Sequence, residues 1–517
     1  MMPALEPQQG VRLHELLAGL VDADALEAVA GVAVDGLSLD SRLAHANTLF
    51  IAVQGESAHG LVYAVQAVDN GATVVLWDRN GSGELTLRAM LAGIRDRAVV
   101  LHCDDLRMKT GEIAARFYDF PSRKLNLIGV TGTDGKTSVS HFLARCLDTE
   151  ASPCGILGTL GNGLIHALRP TGLTTADAVR VQQGLAALVD AGAGSAVMEV
   201  SSHALVQGRV NAVAFDTAVF TNLAQDHLDY HVTMEAYAQA KRRLFDAAGL
   251  KSAVVNLDDG YGRELAKQYR HQLNVWGYSV EGDEAALQQY ADFIVRAHDI
   301  EITPSGYKFS VSTPVGSAVV PIRLMGRFNV ANVLAVIAVL LLNNRSLDAA
   351  LQCVQALPPV HGRMEQIRAA GHKPTAIVDY AHTPQGLRAA CLAAREHFSG
   401  EVWCVFGCGG DRDRAKRPQM AAVAEQLADH VIVTSDNPRH EPPQQIFNDI
   451  MAGFDDPSRV TLIADRREAI AHAINAATAD AVILLAGKGH EAVQIVGDNC
   501  IEFDDCAVAR ELLGARA

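Results

Sequence analysis

Residues 125–141 read LNLIGVTGTDGKTSVSH: an apolar run, a glycine-punctuated loop, a lysine, then residues able to open a helix. An apolar strand feeding such a turn and a helix start makes a phosphate cradle. Gly132 and Gly135 let backbone N–H groups face the phosphates, Lys136 reaches the terminal ones, and the Thr137 hydroxyl suits magnesium. Thr133, Asp134 and Ser138 complete the loop. The pattern G-x-x-x-x-G-K-[ST] is met except at its first position, where Val130 stands and Gly129 lies one residue early. The alternative is a turn that contains GKT by chance. Strand, loop and helix in the required order favour the cradle, and a nucleoside triphosphate is the expected ligand.

Beyond the cradle, SAVMEV (195–200) reads as a strand ending near Glu199. A carboxylate at a strand end beside a phosphate loop commonly holds magnesium or orients its water, although a solvated acid ends strands too. AVFTN (218–222) is a further strand, followed by Asp226-His227-Leu228-Asp229-Tyr230-His231. That group is rich in possible metal ligands, but spacing alone assigns no set of three. YAQAKRRLF (237–245) reads as helix with Lys241 in its middle, a position that usually carries a solvated charge.

Upstream, a helical segment over 13–20 precedes strands at LFIAV and GATVVLW (71–77), with a helix over 63–70, so residues 1–120 form a small α/β unit. Its polar loops, Leu39-Asp40-Ser41-Arg42 and Gly55-Glu56-Ser57-Ala58-His59-Gly60, follow strands and read by themselves as ordinary turns. Downstream, Leu357-Pro358-Pro359 is a hinge, because paired prolines discourage a continuous helix. The segments TAIVDY, VWCVFGCGG, HVIVTSD and AVILLAGKGHE then alternate with helices, which predicts a helix-covered parallel sheet of the Rossmann sort over 358–517. Gly407-Cys408-Gly409-Gly410 is not a GxGxxG fingerprint, so no dinucleotide is required. Functional loops belong at the carboxyl ends of such strands, where Asp411-Arg412-Asp413, Asp436-Asn437-Pro438-Arg439 and Gly487-Lys488-Gly489-His490-Glu491 fall.

The 517 residues, 49% of them hydrophobic, suffice for about three domains: 1–120, a central P-loop-type ATPase domain with a mostly parallel sheet over 121–357, and 358–517. A formal net charge of -15 argues against nucleic-acid or anionic-membrane surfaces. The opening MMPALEPQQGVRLHELLAGL lacks the basic and apolar regions of a signal peptide, and the apolar run 333–342 is too short to span a bilayer. Nine scattered cysteines without a C-x-x-C pair indicate neither a disulfide framework nor zinc, and the expected location is the cytoplasm.

GTDGKT, MEVSSH, FTNLAQDHLDYH and AKRRLF, in that order, resemble the ATP-dependent Mur ligase family of peptidoglycan synthesis. The likeness continues through MGRFNVAN (325–332), HGRME (361–365) and VDYAHTP (378–384), and so covers nearly the whole chain. It implies three α/β domains: a nucleotide-sugar domain, a central ATPase and a Rossmann-like amino-acid domain. It further implies that Thr137, Glu199 and His227 serve magnesium ions, and that Lys241 is carbamylated and supplies a negative group where an ammonium would repel the metal. Asn329, Asn332, Arg363 and Asp379 are implied at ATP. Leu39, Ser41, Glu56, Ser57 and Ala58 are implied on the uridine diphosphate side of a UDP-sugar substrate, and Leu173, Thr174, Thr175, Ser201, Gln207 and Arg209 on its muramoyl-dipeptide side. Leu173 and Asp134 each stand where the family commonly has Asn.

Within the family, DNPR marks recognition of meso-diaminopimelate. It is intact at 436–439, and Arg412, Gly487 and Glu491 match the accompanying positions. Arginine forks suit the carboxylates of a diamino dicarboxylic acid, and acids suit its ammonium groups. Alone, DNPR would read as an Asx-type turn. The resemblance implies addition of meso-diaminopimelate to the D-glutamate γ-carboxylate of UDP-N-acetylmuramoyl-L-alanyl-D-glutamate through an acyl phosphate, by a monomer using small-molecule partners only. The rivals are an L-lysine-adding relative, disfavoured by DNPR, a folylpolyglutamate synthase, disfavoured by the N-terminal domain, and a P-loop ATPase that performs no ligation.

Overall fold

A computed structural model describes residues 10–55, 58–79, 84–371 and 373–515. They form two compact units: the described residues of Met1–Gly129 with Leu147–Thr217 and Arg243–Lys251, and those of Val130–Cys146, Ala218–Arg242 and Ser252–Ala517. The boundary passes through the strand Asn126–Thr131, so residues 121–357 contribute to both units.

The first unit holds a parallel sheet of Gly36–Ser38, Thr48–Ala52, Ala72–Trp77 and Val99–His102, in that order. Its strands are near-continuous apolar runs because both faces are covered. Alternation sends Leu49, Ile51, Val74 and Leu76 against Leu13, Leu16, Ile113 and Phe117, while Phe50, Ala52 and Val75 meet Leu61, Ala64, Leu91 and Ile94. The first helix ends at Leu17, short of the expected Leu20. Ser195–Glu199 also lies in this unit, parallel to Cys154–Gly158.

In the second unit Ser252–Asn256, Asn274–Ser279 and the start of Phe293–Thr303 pair in parallel. Gly306–Thr313 and Gly316–Ile322 then add an antiparallel edge. The following helix, Arg327–Leu342, is buried almost all round, which explains its unbroken apolar run. Among the described residues no helix is long and apolar enough to cross a membrane.

The last sheet runs Glu365–Ile367, Thr375–Asp379, Val482–Ala486, Val402–Phe406, His430–Val433, Val460–Leu462. Only its first strand is antiparallel. Helices cover both faces: Ile377, Cys404 and Leu484 pack against Leu387, Ala390 and Met420, and Val378, Val405 and Leu485 against Ile470, Ala473 and Ala509. The α/β class and the Rossmann-like closing sheet are as expected.

Candidate active site

The strand Asn126–Thr131 delivers the glycine loop to the N-terminus of the helix Lys136–Leu147. Gly132 and Gly135 have φ of 148° and 84°, and a Cβ on Gly132 would lie 1.8 Å from the Thr221 hydroxyl oxygen, so both positions demand glycine. The loop is stapled to the segment after Thr217–Phe220: Thr133 N–H donates to Asn222 O (2.9 Å), Asp134 N–H to Asn222 Oδ1 (2.9 Å), and the Thr221 hydroxyl to Asp134 O (2.6 Å). Lys136 curls back across the loop and donates to Gly132 O (2.9 Å) and Thr133 O (2.8 Å). Arg363 Nη2 donates to the Thr137 hydroxyl (3.1 Å), and its guanidinium lies over the Tyr380 ring.

Lys241, on the helix Met234–Arg242, is 1% exposed, donates to Gly132 O at 2.7 Å and lies over the Tyr237 ring. Burial, with the nearby Lys136 charge, pushes its amine well below the ordinary lysine range. His227, in a left-handed conformation, adjoins the buried Asp226, whose carboxylate also meets Lys416 (3.3 Å) and His382 (3.4 Å). Burial works to raise the Asp226 carboxyl, but the His382 hydrogen bond and the surrounding cations outweigh it and hold the group well below the usual carboxylate range.

A cavity of about 440 Å³ in this unit is lined by Asp134, Gly135, Ser138, Asn332, Arg363 and Asp379, all expected from sequence. Asn222, Asn256, Asp258, Tyr278 and Phe328 also line it and were not anticipated. Asn329 acts indirectly: its Nδ2 donates to Met325 O and its Oδ1 accepts from Asn332 Nδ2 at 3.0 Å, which orients Asn332. Asp379 accepts from the Met364 and Ala381 N–H groups (2.8 and 2.9 Å), yet burial still pushes its carboxyl up to about 6.

At the strand ends of the last sheet, Asn437 Nδ2 donates to Glu491 Oε2 at 2.7 Å. Arg439 has φ of 53° and donates to Gly410 O (2.7 Å). Arg439 and Arg412 both flank Gly409, 2.8 and 3.9 Å from where a Cβ would stand there, and burial and then the Arg412 charge depress the Arg439 pKa, a pairing of cations suited to carboxylates. Arg412 itself is exposed and donates to Asp411 O. Pro438 is buried, and at Gly487, with φ of 113°, a Cβ would sit 2.7 Å from Asp436 Oδ2. Sequence reasoning missed Lys488, which is buried in this loop.

In the first unit, Glu199 is fully buried and accepts from the Thr159 N–H and hydroxyl, both at 2.9 Å. The Thr159 and Thr174 hydroxyls are 3.1 Å apart. Thr175 donates its hydroxyl proton to Glu199 O and accepts from Ser201 N–H. Arg209 donates to Gln207 Oε1 (2.9 and 2.6 Å) and to Thr175 O (2.9 Å). Thr174, Thr175, Ser201, Gln207 and Arg209 therefore form one chain of contacts with Glu199, while Leu173 is 47% exposed beside them. Leu39 and Ser41 line a separate cavity of about 790 Å³ with Tyr63, Gln66 and Arg180. Ala58 O accepts from Gly55 N–H, and Glu56 and Ser57 lie outside the described residues.

Within the second unit the donors fit a hard divalent cation: Thr137 offers a hydroxyl oxygen, and the depressed Lys241 amine is in the form that can become a carbamate.

Comparison with known proteins matches residues 33–118 to the Mur ligase family catalytic domain, 130–340 to the Mur ligase middle domain, and 362–489 to the Mur ligase glutamate ligase domain. A UDP-N-acetylmuramoyl-L-alanyl-D-glutamate--2,6-diaminopimelate ligase of Coxiella burnetii is 44% identical over 497 residues, covering 96% of this chain and 99% of its own. One of the same name from Alkalilimnicola ehrlichii is 46% identical over 482 residues, 93% of this chain and 95% of its own. A solved structure of a ligase so named is 36% identical, with a TM-score of 0.66 over 98% of this chain and 99% of that one. With full-length identity of this order and all three domain types in sequence, the chain belongs to the Mur ligase family.

Proposed function

We propose that the protein adds meso-diaminopimelate to the D-glutamate γ-carboxylate of UDP-N-acetylmuramoyl-L-alanyl-D-glutamate, with cleavage of ATP to ADP and phosphate, in peptidoglycan synthesis. The observation that carries the reading is the acceptor loop set, in which Arg439 and Arg412 both flank Gly409, 2.8 and 3.9 Å from where a Cβ would stand there, and Asn437 holds Glu491 at 2.7 Å. Such a set supplies cationic forks for two carboxylates and an anion for an ammonium. The full-length relatives carry the same activity in their names.

The γ-carboxylate attacks the γ-phosphate of ATP, ADP departs, and an acyl phosphate forms. Lys136 and the N–H groups at the start of the helix Lys136–Leu147 disperse the charge of the migrating phosphoryl group. Asn332, Arg363 and Asp379 hold the nucleotide, with Asn329 orienting Asn332. The unprotonated acceptor amine then attacks the activated carbonyl, and the tetrahedral intermediate collapses to amide and phosphate. Arg412, Arg439, Asp436, Asn437 and Glu491 hold the acceptor, and Pro438 and Gly487 shape the loops that present them. Leu39, Ser41 and the 56–58 loop are assigned to the uridine diphosphate portion, and Leu173, Thr174, Thr175, Ser201, Gln207 and Arg209 to the muramoyl dipeptide.

Magnesium is assigned to Thr137, His227 and a Lys241 carbamate in the second unit and to Glu199 in the first; when bound it neutralises phosphate charge. Depression of the Lys241 pKa supports the carbamate, because only the neutral amine adds to carbon dioxide, losing a proton as the N–C bond forms. The protein is assigned to the cytoplasm as a monomer. Omission tests the reaction: ADP release should require both the UDP-dipeptide and diaminopimelate. Release at the full rate without either substrate would leave a plain ATPase.

A further inference from the structure

Lys488 follows Gly487 in the loop after the strand Val482–Ala486 and is fully shielded from solvent. Its ammonium donates to Asn437 Oδ1 (3.1 Å), Glu491 Oε2 (3.1 Å) and Val493 O (2.7 Å), which uses all three of its protons. Ile495 N–H also donates to Asn437 Oδ1, at 3.0 Å. Two donors converging on one atom of the Asn437 amide require that atom to be oxygen, so Nδ2 must face Glu491. Glu491 Oε2 thereby receives both Asn437 and Lys488, and its side chain remains 25% exposed. Oε1 is left to meet an incoming cation.

Charge gives the same direction. Glu491 and Asp436 both act on Arg439 electrostatically. Without a cation of its own, Glu491 would compete with the acceptor's carboxylates for that guanidinium. A buried ammonium bonded to Glu491 keeps the carboxylate on the ammonium side of the site and leaves the guanidinium for a carboxylate.

We infer that Lys488 is the positioning residue of the acceptor site, fixing the Asn437 amide and the Glu491 carboxylate in the orientation that recognises an amino acid's ammonium group. It touches the acceptor only through these two residues. The inference rests on the acceptor reading above and adds the group that sets its geometry.

The test is steady-state kinetics of the full chain with meso-diaminopimelate as the varied substrate. Lys488→Met should raise the acceptor KM about tenfold or more, the value of a lost charged hydrogen bond, and leave the KM of ATP within about twofold. In a Glu491→Gln background the same substitution should add clearly less than about tenfold, because the part of its effect that runs through Glu491 is already lost and only the part through Asn437 remains. An unchanged acceptor KM in Lys488→Met, equal losses for every substrate, or full multiplication with Glu491→Gln would overturn the inference alone. Failure of the unmodified protein to use diaminopimelate would overturn the acceptor reading as well. A structure of the unmodified protein with diaminopimelate bound gives a result independent of variant folding. Lys488 should keep its bond to Glu491 while Oε1 meets the ammonium, and release of Glu491 by Lys488 would contradict the proposal.

Discussion

Lys241 and Lys488 are both buried in the second unit, 1% and 0% exposed, yet their surroundings assign them opposite tasks. Lys241 has a backbone carbonyl and an aromatic face, with Lys136 nearby, and its amine is driven towards neutrality. Lys488 has a carboxylate, an amide oxygen and a carbonyl, one for each proton. Burial alone therefore does not define a lysine's role. An unbalanced ammonium becomes a nucleophilic amine, whereas one bonded to a carboxylate becomes a fixed part of the scaffold. The phosphate centre and the acceptor site differ in the same way: one is built from backbone groups around a reactive amine, the other from side chains whose charges already oppose one another.

The largest effect should come from the phosphate side. Lys136→Ala is expected to reduce ADP formation by about a hundred- to a thousandfold, while the folded protein still binds the acceptor. Near-normal turnover would break the assignment of charge stabilisation to that loop. Next, Lys241→Ala should cost roughly ten- to a hundredfold and recover in part with added acetate or formate, which restore a negative group. Carbon NMR of the bicarbonate-supplied protein should show a carbamate signal; a plain amine in an active sample would erase the contrast with Lys488.

On the acceptor side, Arg439→Ala and Arg412→Ala should each lower kcat/KM for diaminopimelate by about ten- to a hundredfold and leave the ATP KM unchanged. Parallel losses in ATP binding would show that the two regions are not separable. The smallest effect belongs to Asp379. Its carboxyl is raised from 3.8 to about 6, so the ATP KM should climb as pH falls through that value, and Asp379→Asn should flatten the profile. The same sign makes the ionised group a cost to folding that develops between pH 3.8 and about 6 and persists above it. Calorimetry at neutral pH should therefore find Asp379→Asn at least as stable as the unmodified chain.

The cradle was legible because its geometry is local: positive φ at Gly132 and Gly135 and a lysine beside them leave few sequence options. The strand-end loops were legible because apolar runs and polar turns alternate through the last sheet. Asp258 and Tyr278 were not, since each reaches the cavity beside the glycine loop from a strand or turn far away in sequence and carries no motif of its own, and Asn222 stood inside FTNLAQDHLDYH without a role that its own residue type would signal. The antiparallel edge formed by Gly306–Thr313 and Gly316–Ile322 was missed because its exposed apolar residues, such as Val319 and Pro321, blur the apolar alternation. From its residues alone Lys241 resembled a solvated helical lysine, and only family resemblance marked it. Lys488 sat in a polar glycine loop with nothing to signal its burial. Tertiary partners decide such positions, and a single sequence does not display them.

The most direct test of the account is the ratio of kcat/KM for meso-diaminopimelate and L-lysine in the unmodified protein, with ATP and the UDP-dipeptide saturating. L-lysine lacks the distal carboxylate and would leave a guanidinium of the Arg412–Arg439 pair without its partner. A preference for diaminopimelate of about ten- to a hundredfold or more is expected. Comparable values for the two amino acids would contradict it.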